Sequence, residues 1–141
     1  MYEFFAQPVA LATFAEPLLE FAGRFSLVVG CSNFGDLFLR DPELGEFAIL
    51  VVSTVELVDT GEVTEVGFRQ QLLTNAEVVR TLLRPDAAST IAERIGNLQP
   101  GEVFIPVPHP SIGGSGALSS FEKGGVREYV SWLIQFTNDV D

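Results

Sequence analysis

Short apolar runs separated by turn residues fill the first half of the chain, and helical spacing takes over in the second. Pro8 to Phe25 reads as a helix-forming opening, with Pro17 suited to a first helical turn and Gly23 to a stop. Phe25 to Gly30 is a short buried strand, and Ser32-Asn33-Phe34-Gly35 is a turn. Asp36 to Arg40 and Glu46 to Thr54 are two further strands. The five residues between them, Asp41-Pro42-Glu43-Leu44-Gly45, make the pair a hairpin. Val55 to Gly67 alternates Glu and Val at spacing two and suggests another strand pair turning at Thr60-Gly61.

From Phe68 the period changes. Phe68, Leu72, Leu73, Ala76, Val79 and Leu82-Leu83 fall on one helical stripe, with Asn75 as an interior break and cap, and Arg84-Pro85 ends it. Asp86 is the expected cap of a second helix, Ala87 to Ile95, which stops at Gly96. Val103-Phe104-Ile105 is a strand closed by the run of prolines at 106, 108 and 110. A Gly/Ser loop from Ser111 to Ser120 leads into a last helix, Val126 to Phe136, with Tyr129, Val130, Leu133 and Phe136 facing inward. Strands and helices segregate, so the expected class is α+β, with an antiparallel or mixed sheet and helices packed on one side. The expected layout is a lead-in over residues 1–33 and a main unit over 34–141, together one compact domain.

Length and composition narrow the picture. At 141 residues the chain has the size of one domain and can bury roughly two thirds of its unfolded surface without disulfides or metals. The first five residues lack the basic region of a signal peptide, no apolar run is long enough to span a bilayer, and there is one cysteine, Cys31. These facts predict a cytoplasmic protein with no membrane partner. Mean hydropathy is +0.30 and phenylalanine occurs 12 times, which fits either a dense core or an apolar face covered by a partner or a second copy, making a homodimer one candidate assembly.

Charge is the uneven feature. The net charge of −11 disfavours direct nucleic-acid binding. Between Asp36 and Glu65 eight acids stand against Arg40 alone: Asp36, Asp41, Glu43, Glu46, Glu56, Asp59, Glu62 and Glu65. Such a stretch is either a solvated sheet edge or a docking face for a basic partner, and Asp36, Glu43, Glu46, Glu56, Asp59, Glu62 and Glu65 are the candidate partner-binding residues.

Catalytic chemistry finds little support. His109, the single histidine, sits between prolines with no Gly-x-Ser-x-Gly nucleophile motif in the chain, and Cys31 reads as a buried hydrophobe. Neither has another Cys or His nearby, so no metal or cofactor is expected. Gly113-Gly114-Ser115-Gly116 lacks the Gly-Lys-Ser/Thr of a phosphate cradle, and Gly113 and Gly114 read as a structural turn.

Phe34-Gly35-Asp36-Leu37-Phe38-Leu39-Arg40-Asp41, followed by Gly45 to Leu50, resembles the opening of bacterial immunity-protein domains. These include the SUKH superfamily and the immunity proteins against type VI secretion DNase effectors. Phe68 to Leu83 is similar to the central helix of the DNase-immunity family. Ile95 to Phe104, then Pro108 and Ile112-Gly113-Gly114, is similar to its strand and Gly-Gly signature, and Phe121 to Phe136 to its closing helix. The resemblance spans about residues 34–136. It departs in the crowding of Pro106, Pro108 and Pro110, in Ile112 where Leu is usual, and in a shorter region before Phe34. It implies a non-enzymatic protein that neutralises a toxin, most simply a basic nuclease, by occlusion. The other class open to this sequence is a small-molecule-binding or regulatory module with an apolar, Phe-lined pocket.

Overall fold

The computed structural model describes residues 2–140, and for 111 and 136–140 the backbone alone. Its main element is a five-stranded antiparallel meander in the order β1 (Tyr2–Ala10), β2 (Leu27–Ser32), β3 (Leu37–Arg40), β4 (Phe47–Val51) and β5 (Glu56–Asp59). A short helix α1 (Pro17–Ala22) joins β1 to β2. After β5 come α2 (Glu65–Thr74), α3 (Ala76–Val78) continuing as a π-helical turn Val79–Leu83, and α4 (Pro85–Ile95). A two-stranded antiparallel ribbon, β6 (Glu102–Pro106) with β7 (Phe121–Gly125), leads into the last helix α5 (Val126–Val140). The α+β class expected from the sequence is the class observed.

The central strands are apolar at consecutive positions, so both faces of the sheet need cover. Val28, Leu37, Leu39, Ala48 and Leu50 face a core shared with α1 and α5, among them Leu18, Val130 and Leu133. Val29, Phe38, Phe47 and Ile49 face the opposite way, onto Phe68 and Leu72 of α2 and Leu83. Helices therefore cover both faces, not one as expected, because the β3–β4 hairpin has no polar face to leave in water. Phe68 is the hub of the second core. Its ring stacks on Phe47 at 4.9 Å and meets Phe38 edge-on at 5.3 Å, contacts worth about 0.5–1.5 kcal/mol each beyond their area.

The β3–β4 hairpin, the α1 start at Pro17 and its stop at Gly23 stand where the sequence puts them. So does the Asn75 cap, whose side chain accepts from the Glu77 and Val78 amides. Four expectations change. Residues 8–10, read as the start of a helix, belong to the strand Tyr2–Ala10, because β2 offers it a ladder from Ser32 to Leu27. Residues 56–67 hold one strand, since the chain turns into Thr64, whose hydroxyl caps α2 at Gly67. Asp86 lies in the first turn of α4 and is not its cap; Arg84 takes that place without a side-chain bond, ahead of Pro85. Phe121–Gly125, given to the closing helix by the family resemblance, is a strand paired with β6. The inward position expected for Phe136 falls outside the described side chains.

The sheet and the ribbon are tied by backbone groups. The Gly101 amide donates to the Glu3 carboxylate of β1 at 2.9 Å, and the Phe104 amide donates to the Asn33 carbonyl at 2.7 Å. Two glycines permit close approach elsewhere. A Cβ on Gly30 would strike the Glu3 carbonyl oxygen across the β1–β2 ladder, and one on Gly114 would strike that of Pro108. Gly113 beside it holds φ at +97°, a conformation L side chains avoid. Gly114→Val is expected to lower the stability of the fold by about 1–3 kcal/mol through this overlap, read by chemical denaturation. An unchanged midpoint would show that the loop yields without cost.

Candidate functional site

The acidic stretch separates into four groups. Arg24, just after α1, reaches across to the β3–β4 hairpin and donates to Asp41 Oδ2 at 2.8 Å, Glu46 Oε2 at 2.8 Å and Asp59 Oδ2 at 3.1 Å. Asp41 is buried, and the Arg24 hydrogen bond, with the Glu43 amide behind it, holds its carboxyl below the usual carboxylate range. Asp41, Glu46 and Asp59 thus organise the hairpin. Glu62 accepts a long bond from Gln71, and Glu65 lies 3.5 Å from Arg69 one helical turn on. Glu43 and Glu56 are exposed.

Beside Glu43, Glu62 and Glu65 stand exposed aliphatic side chains, whereas Glu56 sits opposite Val51 at the far end of β4. Leu44 is 68% exposed, Val63 55% and Val66 66%. The Phe47 amide donates to the Glu62 carbonyl at 2.8 Å, which lays residues 60–64 alongside the hairpin turn that carries Leu44. An apolar centre with an acidic rim is the ordinary anatomy of a protein-binding face.

Asp36 is elsewhere. It precedes β3 at the end opposite Asp41, is 8% exposed, and accepts the Ser32 hydroxyl at 2.8 Å. The sequence groups it with the partner-binding acids; the Ser32–Gly35 turn instead folds it into the wall of a cleft of about 370 Å³ between the sheet and the ribbon. Phe34, Phe104 and Phe121 line the same cleft, with Arg84 and Tyr129. Sequence reading anticipates a Phe-lined pocket but not its charged walls, because Asp36 and Arg84 meet only through the tertiary fold. The one local signal at Arg84 is the proline after it, which disfavours ordinary helical backbone there; Arg84 sits at φ 43°.

Cys31 is buried and its thiol is pushed up to about 12 by desolvation, a setting of low reactivity. Burial also lowers the His109 pKa. Among the described residues no group of three His, Cys, Asp or Glu side chains is placed to hold a metal ion, and no helix is long and apolar enough to cross a membrane.

Burial raises the Asp36 pKa to about 6 from its ordinary 3.8, against the Ser32 hydrogen bond and the Arg84 charge, which lower it. A carboxyl raised on folding favours the folded state in acid, and that contribution is lost as pH climbs from about 4 through about 6. Asp36→Asn keeps an acceptor for Ser32 and is expected to gain on the order of 1–3 kcal/mol at pH 7. The gain should fade as pH falls towards about 4. Denaturation of both proteins across this range checks it, and an advantage independent of pH would refute it.

Comparison with known proteins adds to this geometry. No curated protein matches the chain. Among solved structures, the crystal structure of Atu4351 from Agrobacterium tumefaciens is similar, with a TM-score of 0.63 over 95% of this chain and 66% of that one, at 14% identity. At that identity the likeness shows a shared fold, and this chain spans just under two thirds of that protein's length. A family model described as T6SS immunity protein Tdi1, C-terminal, matches residues 64–137, from the cap of α2 through the ribbon and into α5. With just over half of its length matched, the chain belongs to the family of type VI secretion immunity proteins defined by the Tdi1 C-terminal region.

Proposed function

We propose that this protein neutralises a basic type VI effector, most simply a nuclease, by covering its nucleic-acid-binding face with the edge formed by the β3–β4 turn and residues 56–66. It acts in the cytoplasm, without catalysis and without a cofactor. Family membership supports the toxin as partner. The observation that carries the choice of surface is the group of exposed Leu44, Val63 and Val66 set among Glu43, Glu62 and Glu65, with Glu56 at the far end of the same edge strand, opposite Val51. A nuclease must offer positive charge to phosphates, and a face of acids competes for that charge. The apolar centre supplies the burial that slows dissociation.

The arrangement also assigns roles. Arg24 fixes Glu46 and Asp59 at the foot of the edge, so these two set its shape, whereas Glu43 and Glu56 project charge. Rim charges act mainly on the association rate and its salt dependence.

Capture of the effector from producing cells on the immobilised chain, followed by association kinetics, tests this. Glu43→Lys, Glu56→Lys and Glu65→Lys together should slow association on the order of tenfold or more at low salt and flatten its salt dependence. Leu44→Ala should instead quicken dissociation. A triple variant that melts like the parent and associates as fast at low salt would contradict the charge-led mechanism.

A further inference from the structure

The cleft between the sheet and the ribbon holds two opposite charges that do not pair with each other. Asp36 is buried in its wall with one carboxylate oxygen taken by Ser32, and it makes no ion pair among the described residues. Arg84 makes none either; its guanidinium lies 4.7 Å from the Phe34 ring centroid, on the same cleft. Each group is pinned. Ser32 holds Asp36, whose own amide donates back to the Ser32 hydroxyl at 3.1 Å. Arg84 stands at φ 43° and ψ 61° between the π-helical turn and Pro85, a backbone conformation costly for a side chain with a Cβ. Backbone strain of this kind, kept beside a cleft, is characteristic of binding sites.

A singly charged guest fits such a place badly. A cation drawn to Asp36 meets Arg84, and an anion drawn to Arg84 meets Asp36, in a setting where burial strengthens both effects. A guest with both charges avoids the conflict. Phe34, Phe104 and Phe121 offer an apolar surface on the same walls, beside the polar Ser53, Thr81 and His109. At about 370 Å³ the cleft is at the small end of ligand sites, which run from roughly 300 to 1,000 Å³.

We infer that this cleft binds a small zwitterion with an apolar body, the chemical class of an aromatic or aliphatic α-amino acid, with Arg84 facing its carboxylate, Asp36 its ammonium and the phenylalanines its side chain. The site lies at the end of β3 remote from Asp41 and stands or falls independently of the effector-binding edge. At pH 7 both charges are in place, since Asp36 titrates near 6. The other titratable groups around Asp36 are the Cys31 thiol and the Tyr129 phenol, both uncharged there because each is pushed up to about 12, and His109 on the cleft wall, whose pKa burial lowers.

Calorimetry and amide chemical shifts at pH 7 with the apolar and aromatic L-amino acids test the assignment, with phenethylamine and 3-phenylpropionate as the probes that lack one charge of L-phenylalanine. At least one amino acid should bind saturably below about 10 mM and shift the amides of residues 34–36 and 82–84. Phenethylamine and 3-phenylpropionate should each bind about tenfold more weakly than L-phenylalanine, or worse. Asp36→Asn should erase the preference for L-phenylalanine over 3-phenylpropionate. Arg84→Gly, which suits the left-handed backbone and so keeps the fold, should erase the preference over phenethylamine. Absence of saturable binding by every amino acid would overturn the inference. So would equal binding of either singly charged probe, or variants at least as stable as the parent that keep both preferences.

Discussion

The structure turns on a sheet whose middle strands are apolar on both faces. Phe38 and Ile49 point one way while Leu37, Leu39, Ala48 and Leu50 point the other, so neither face of the β3–β4 hairpin can be left to water. One cover is α1 with α5, and the other is α2 with the π-helical turn. Because the cover comes from both ends of the sequence, α5 must return across the sheet, and the ribbon β6–β7 is the bridge that brings it back. The Glu3 to Gly101 and Asn33 to Phe104 hydrogen bonds fasten that bridge. The cleft lined by Asp36, Arg84 and Tyr129 is the space where the two covers meet at one end of the hairpin.

At the other end of the hairpin, packing has a different consequence. Asp41 is buried there, and a buried carboxylate requires a partner. Arg24 supplies it and, with its remaining donors, gathers Glu46 and Asp59. A surface of like charges would repel itself; one guanidinium shared by three carboxylates lets the edge stay dense in acid. Only part of the acidic stretch is thereby free of Arg24, and exposed aliphatic residues stand beside that part.

What the sequence discloses follows from how local each signal is. The hairpin, the Pro17 start, the Gly23 and Gly96 stops and the Asn75 cap are legible because each depends on residues within one or two turns. The opening strand is not, since an apolar segment around Pro8 becomes β1 only when β2 lies beside it. Phe121-Glu-Lys-Gly-Gly carries no strand alternation and is a strand through its register with β6, from Pro106 to Glu102. The acidic edge is legible as composition but not as roles: nothing local distinguishes Asp36, turned into a cleft, from Glu43, turned to solvent. The immunity-family resemblance rests on short patterns from Phe34 to Phe136, and the family match covers the later of them, over residues 64–137.

Amide hydrogen exchange of this protein, free and bound to the type VI effector proposed as its partner, locates the contact without altering a residue. Added protection is expected at residues 43–47 and 60–69, with the amides around residues 34–36 and 82–84 unchanged. Protection confined to the ribbon and α5, with the hairpin turn exchanging as in the free protein, would contradict the proposed contact.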